Sequence, residues 1–101
     1  MVEDQIVEVG IDQDGKLYVR PGEQTFSYIY RAAMGVGWDP LRRALFAPKA
    51  REWSYLDWFR QILASAADEY GVRLRIGAAT TWSDVPDLLR SQIETDQARS
   101  E

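Results

Sequence analysis

Cysteine and histidine are both absent from this sequence of 101 residues. Without cysteine there are no disulfides, no thiolate nucleophiles and no thiolate zinc sites. Without histidine there is no imidazole base and no histidine-anchored metal site. These absences remove the commonest catalytic and metal centres, and we expect a non-enzymatic protein that carries no cofactor and no metal.

Targeting and membrane signals are also lacking. The acidic residues 1–5 do not form the basic and apolar regions of a signal peptide, and no apolar run approaches 18 residues. We therefore expect a cytoplasmic protein that does not enter a membrane. The net charge of -4 argues against nucleic-acid binding, because that binding relies on lysine and arginine to neutralise phosphates.

The middle of the chain is its only part with a net positive charge. Residues 26–60 carry six bases and three acids, whereas residues 1–25 and 61–101 are both acidic. Within the middle part, the basic stretch from Leu41 to Arg51 suits an acidic partner or a second copy of the chain. The alternative is an ordinary solvated surface.

The composition is that of a folded protein, with 46% hydrophobic and 28% charged residues. At this length the chain forms one domain, residues 1–101, with a single core. The polar tail, residues 96–101, is expected to fray.

The stretch from Glu52 to Gly71 predicts one amphipathic helix. Ser54 and Asp57 have the spacing of a capping box, and Gly71 suits the left-handed position just past the end. The apolar residues recur at steps of three and four, so they share one stripe that must be buried. They are Tyr55, Leu56, Phe59, Ile62, Leu63, Ala66, Ala67 and Tyr70.

The first part of the chain predicts strands. Ile6–Ile11 and Leu17–Arg20 flank Asp14-Gly15, a dipeptide typical of hairpin turns. The segment from Thr25 to Trp38 is ambiguous, since strand and helix periods both align apolar residues in it. Its aromatic content and its glycines favour a long third strand in which Phe26–Tyr30 is the part most suited to a helix.

Four further elements follow from local signals. Ala44–Phe46 predicts a fourth strand that Pro48 ends, and Val72–Ile76 alternates as a half-exposed strand. The residues from Gly77 to Trp82 are expected to form a loop. A last helix, capped by Ser83 or Asp84, is expected to run to about Thr95. Its expected buried residues are Val85, Leu88, Leu89 and Ile93.

This order predicts an α+β fold: an antiparallel sheet of four or five strands, one long amphipathic helix packed on one face, and a shorter C-terminal helix. The candidate binding site is a set of aromatic and basic residues. Half-exposed indoles beside arginines can hold a planar or anionic ligand, or a protein partner. The set comprises Tyr28, Tyr30, Arg31, Trp38, Arg42, Arg43, Trp53 and Trp58.

Each member of this set also has a structural explanation. Trp58 can seal the edge of the core and Trp53 can pack before the helix. The carboxylates Asp39, Glu52 and Asp57 are a weaker candidate for acid–base chemistry, because a turn and a cap account for two of them. The glycines at 35, 37 and 77 match no dinucleotide fingerprint and no Walker A loop.

The motifs Tyr30-Arg31-Ala32-Ala33, Val36-Gly37-Trp38-Asp39 and Glu52–Phe59, with the Asp14–Leu17 turn, resemble small proteins carried on bacterial integron gene cassettes. The resemblance spans residues 8–93. It implies a compact, cytoplasmic α+β protein of bacterial origin, often a homo-oligomer, with no assigned activity. A homodimer would also cover the edge of an open sheet.

Three functions fit these observations. The first is a non-enzymatic binding or interaction protein that uses the aromatic and basic residues. The second is a small-molecule-binding protein or minor enzyme with a pocket between sheet and helix. The third is an immunity-like protein that neutralises a toxin.

Overall fold

A six-stranded sheet carries both α helices of residues 1–99, the part of the chain that this computed structural model describes. The strands are β1 (Val2–Ile11), β2 (Lys16–Pro21), β3 (Gly37–Asp39), β4 (Ala44–Lys49), β5 (Val72–Arg75) and β6 (Thr81–Ser83), and the helices are α1 (Tyr55–Tyr70) and α2 (Asp87–Arg99). Neither α1 nor α2 is long and apolar enough to cross a membrane.

The strand order is β3-β4-β2-β1-β5. β6 lies outside this path: it pairs with residues 8–10 of β1, whereas β5 pairs with residues 2–5 of β1. The pairs β1–β2, β2–β4 and β3–β4 are antiparallel, while β5 and β6 run parallel to β1. The predicted α+β class, the mostly antiparallel sheet and the longer and shorter helices are confirmed. The strand count is six because the segment expected to be a loop before α2 contains β6.

Helix α1 begins and ends where its sequence signals place it. Ser54 accepts a hydrogen bond from the Asp57 N–H, and the Asp57 carboxylate accepts one from the Ser54 N–H, which completes the capping box. Gly71 has a φ of 64° and donates its N–H to the last turn. Gly71 suits this left-handed position because it has no Cβ.

The core lies between α1 and one face of the sheet. Val9, Val19 and Leu45 are neighbours across β1, β2 and β4, and all three are buried. They meet a buried stripe of α1 that includes Phe59 and Ile62. Because side chains alternate along a strand, the next row across the sheet faces away from α1. Helix α2 joins α1 on the core side through Leu89 and Ile93.

The predicted long third strand is wrong. Only β3 is extended, and the chain before it forms turns and a 3-10 helix at Ile29–Arg31. The segment buries Phe26, Ile29, Ala33 and Val36. Their spacing of three and four residues fits a chain of helical turns with one face packed against α1. Packing beside α1 therefore determines the conformation, and the part expected to be most helical, Phe26–Tyr30, overlaps the 3-10 helix at Ile29 and Tyr30.

Pro48 does not end β4, contrary to the expectation. Leu17 pairs with Ala47 and Lys16 pairs with Lys49, so Pro48 is the extra residue of a bulge. A bulge tolerates proline because its extra residue lies outside the regular ladder of hydrogen bonds.

The last helix also differs from its prediction. It begins at Asp87 and continues past Thr95 to Arg99, and Leu88 is 71% exposed instead of buried. The helix extends beyond Thr95 because Asp96, which was expected in a frayed tail, accepts hydrogen bonds from Arg60 of α1. Residues 100–101 of that tail lie outside the described part of the chain.

The capping box gives a test of how α1 is stabilised. Ser54→Ala removes the acceptor for the Asp57 N–H and should lower the free energy of unfolding by about 1 kcal/mol. Urea denaturation measures the change. Ser27→Ala, at an exposed serine outside both helices, is the control and should cost much less. Equal losses in the two variants would show that the cap contributes nothing specific.

Candidate functional site

The eight residues of the predicted aromatic and basic set do not form one site. Trp53 and Trp58 lie together at the start of α1, and Tyr28, Tyr30 and Arg31 lie on the segment before β3. The remaining three belong to β3 and to the connection that follows it. The structure therefore brings together only some of the predicted residues.

The two tryptophans form an exposed pair. Their ring centroids are 4.8 Å apart, with Trp53 45% exposed and Trp58 half-buried against the core. A Cβ on Gly35 would lie 2.9 Å from Cη2 of Trp58, so only glycine leaves room for this indole. The pair borders a cavity of about 360 Å³ that is lined by Pro48, Lys49, Arg51, Glu52, Trp53 and Trp58.

The segment that leads to Gly35 carries more exposed apolar side chains. Tyr28 and Tyr30 are both largely exposed, and Met34 is 95% exposed. The guanidinium of Arg31 lies 4.8 Å from the centre of the Tyr28 ring. The Tyr70 hydroxyl accepts a 2.7 Å hydrogen bond from the Tyr28 N–H and fixes the segment to α1. We call Tyr28, Tyr30, Arg31, Met34, Trp53 and Trp58 the aromatic surface.

The other three predicted residues serve elsewhere. Trp38 is half-buried, and its ring meets Phe26 edge-on at 5.7 Å. Arg43 donates a 3.2 Å hydrogen bond to the Glu23 carbonyl. Arg42 turns towards the β1–β2 hairpin, where it faces Asp12. None of the three belongs to the aromatic surface.

The acidic residues proposed for catalysis are likewise dispersed. Asp57 caps α1, and Asp39 accepts hydrogen bonds from the backbone of Leu41 and Arg42. Glu52 lines the cavity beside the tryptophans. The roles of Asp39 and Asp57 are those that the turn and cap patterns predict.

A second feature, which sequence reasoning missed, is the uncovered face of the sheet. Gly10, Tyr18, Phe46 and Gly37 are successive neighbours across four strands on the side away from α1. A Cβ on Gly10 would lie 2.3 Å from Cζ of Tyr18, and one on Gly37 would lie 2.5 Å from Cζ of Phe46. Each ring therefore covers a glycine backbone, and the two rings lean apart.

A polar network lies beside Tyr18 on this face. Glu8 accepts hydrogen bonds from the hydroxyls of Tyr18 and Ser83 and pairs with Arg20 at 3.0 Å. Burial opposes ionisation of Glu8, but the two hydrogen bonds and the Arg20 charge together outweigh it, so the pKa of Glu8 is lowered from 4.5. Burial, followed by the hydrogen bond to Glu8, raises the pKa of Tyr18 above 10.0.

Comparison with known proteins identifies the family. The family model described as integron cassette protein Hfx_Cass5 matches residues 4–80. The chain belongs to this family of integron cassette proteins, and the resemblance stated from the sequence is confirmed.

A relative with a solved structure aligns in sequence with nearly the whole chain. It is an integron cassette protein Hfx_Cass5 from the mobile metagenome of the North West Arm sewage outfall. The two sequences are 44% identical over 97% of this chain and 98% of that one, and the TM-score is 0.49. Among curated proteins no match is found.

The two tryptophans should contribute unequally to stability. Trp58→Ala removes a ring that packs against the core and Gly35, and should cost about 2–4 kcal/mol of the free energy of unfolding. Trp53→Ala removes the outer ring and should cost about 1 kcal/mol or less. Urea denaturation midpoints measure both changes. Equal costs would contradict this division of the pair into an inner and an outer ring.

The Glu8 network predicts a pH dependence. A carboxylate whose pKa is lowered by folding stabilises the folded state above its ordinary pKa and loses that effect as pH falls through the folded value. The melting temperature of Glu8→Gln should therefore lie below that of the wild type near pH 7. The gap should narrow as pH falls below 4.5. Glu69→Gln, at an exposed position of α1, is the control, and a pH-independent gap would contradict the prediction.

Proposed function

We propose that the protein is a non-enzymatic interaction module that docks an acidic partner protein on its aromatic surface. The observation that carries the proposal is the tilted pair of exposed Trp53 and half-buried Trp58 beside Lys49 and Arg51. A cytoplasmic location and a homodimer remain predictions.

The composition of the aromatic surface supports protein recognition. Tryptophan, tyrosine, methionine and arginine are enriched at interface cores, and truncating such residues often costs the most binding energy. Trp53 and Met34 leave large apolar side chains in water, and Gly35 joins their segments by contacting the Trp58 ring. A partner that covers these side chains would gain hydrophobic free energy in proportion to the apolar area removed from water.

Charge favours an acidic partner. Arg31, Lys49 and Arg51 lie on or beside the aromatic surface, and Glu52 is the acidic residue of the adjoining cavity. Opposite charge at the rim of an interface accelerates encounter and disfavours basic partners. Because the whole chain has a net charge of -4, a basic partner is attracted to the acidic parts of its surface. The positive charges beside the aromatic surface therefore select for acidic partners.

Peptide display on the purified protein tests the proposal directly. The enriched peptides should combine Asp or Glu with apolar residues, and their affinity should fall as the salt concentration rises. For Trp53→Ala we expect a Kd at least about tenfold higher, since this ring has no large role in folding. Arg51→Ala should weaken the same peptides by a smaller factor.

Leu41→Ala is the control, because Leu41 is an exposed apolar residue that lies in the connection after β3, outside the aromatic surface. It should leave peptide affinity unchanged. Failure to enrich acidic peptides, or enrichment of peptides that bind Trp53→Ala as tightly as the wild type, would contradict the proposal.

A further inference from the structure

The uncovered face of the sheet contains a groove that is distinct from the aromatic surface. The rings of Tyr18 and Phe46 form its walls, and buried Ala44 forms its floor. The cavity measures about 180 Å³ and adjoins a second one on the far side of Tyr18. This volume suits the charged head group and a small apolar part of a ligand.

Two carboxylates of the groove are held by the backbone. One oxygen of Asp12 accepts hydrogen bonds from the N–H groups of Asp14 and Lys16, both at 2.9 Å. One oxygen of Asp39 accepts from Leu41 and Arg42 at 3.0 and 3.2 Å. In both residues the other oxygen faces the same guanidinium, so the backbone fixes a pair of acceptors in advance.

Arg42 is that guanidinium, and it is held loosely. Its NH1 lies 3.7 Å from Asp12 and its Nε lies 3.8 Å from Asp39, both beyond ordinary hydrogen-bond length. The Arg42 side chain is 60% exposed, whereas those of Asp12 and Asp39 are 18% and 34% exposed. The acceptors are thus more buried than the cation that they attract.

The aromatic wall also receives a cation from the chain itself. Nζ of Lys16 lies 5.7 Å from the centre of the Phe46 ring, within cation–π range. Asp14 adds a third carboxylate to the groove. The groove therefore has three carboxylates and two aromatic rings that attract cations. Arg42 and Lys16 of the protein itself already contact some of these groups.

We propose that this groove binds a small organic cation with an amidinium or guanidinium group, and that Arg42 occupies the site as a displaceable internal competitor. The ligand's planar cation takes the place of the Arg42 guanidinium between Asp12 and Asp39. Its apolar body lies on Phe46 and Tyr18. This inference does not depend on the aromatic surface.

Benzamidine is the probe, because it joins an amidinium to an aromatic ring, and neutral benzamide has the same shape. Titration of the wild type, followed by backbone amide NMR, should shift resonances of the groove with benzamidine but not with benzamide. Arg42→Ala should bind benzamidine about fivefold or more tightly, because it removes the internal competitor. Arg99→Ala, which removes the same charge from an exposed position on α2, should show no such gain.

Asp14→Asn is a second variant that keeps the hairpin, because Asn-Gly favours the same turn as Asp-Gly. It should weaken benzamidine binding about threefold, as expected for the loss of one exposed charge. Asp68→Asn, at an exposed position on α1, is its control and should leave the affinity unchanged. The proposal fails if benzamidine and benzamide bind alike, if the shifted resonances lie outside the groove, or if Arg42→Ala and Arg99→Ala gain equally.

Discussion

Burial of the apolar stripe of α1 against one face of the sheet is the interaction on which the rest of the structure depends. The caps at Ser54 and Gly71 set the length of the helix, so the stripe spans the buried row across β1, β2 and β4. The segment before β3 and helix α2 then complete the same layer. Since all of this packing lies on one side, the other face of the sheet stays in contact with water.

This one-sided packing also distributes the charge. The basic middle of the sequence is divided in space: Arg31, Lys49 and Arg51 lie by the aromatic surface, while Arg42 meets the acidic hairpin across the sheet. The protein thus has an aromatic surface with a positive rim and, on the other face, a groove whose lining includes three carboxylates. Two surfaces of opposite character suit partners of opposite charge.

Local signals made α1, the hairpin and β5 predictable, because caps, turn residues and alternation act over a few positions. The path of residues 25–36 was not predictable in the same way, since contacts with α1 outweighed the β propensity of its aromatic residues. Pairing of β1 with β5 and β6 is a long-range property that no local pattern encodes. For the site, the sequence placed Trp53 just before the helix cap and Trp58 off the buried stripe, and the structure shows their ring centroids 4.8 Å apart.

The groove was missed because its signal is indirect. Gly10 and Gly37 lie in strands where a glycine often marks close approach by another group, but the partner rings, Tyr18 and Phe46, are identified only by strand register. The role of Arg42 depends equally on the β3–β4 connection. From its residue type alone, Arg42 is indistinguishable from the other basic residues between positions 26 and 60.

The parallel pairing of β1 has a consequence for how the chain folds. Val2 pairs with Val72 and Glu8 pairs with Thr81, so one edge of β1 waits for partner strands that lie far along the chain. Contacts of such high sequence separation slow folding, and the waiting edge can pair with other strands. The hairpin with β2 protects the opposite edge early, so premature association during synthesis is confined to a single side of β1.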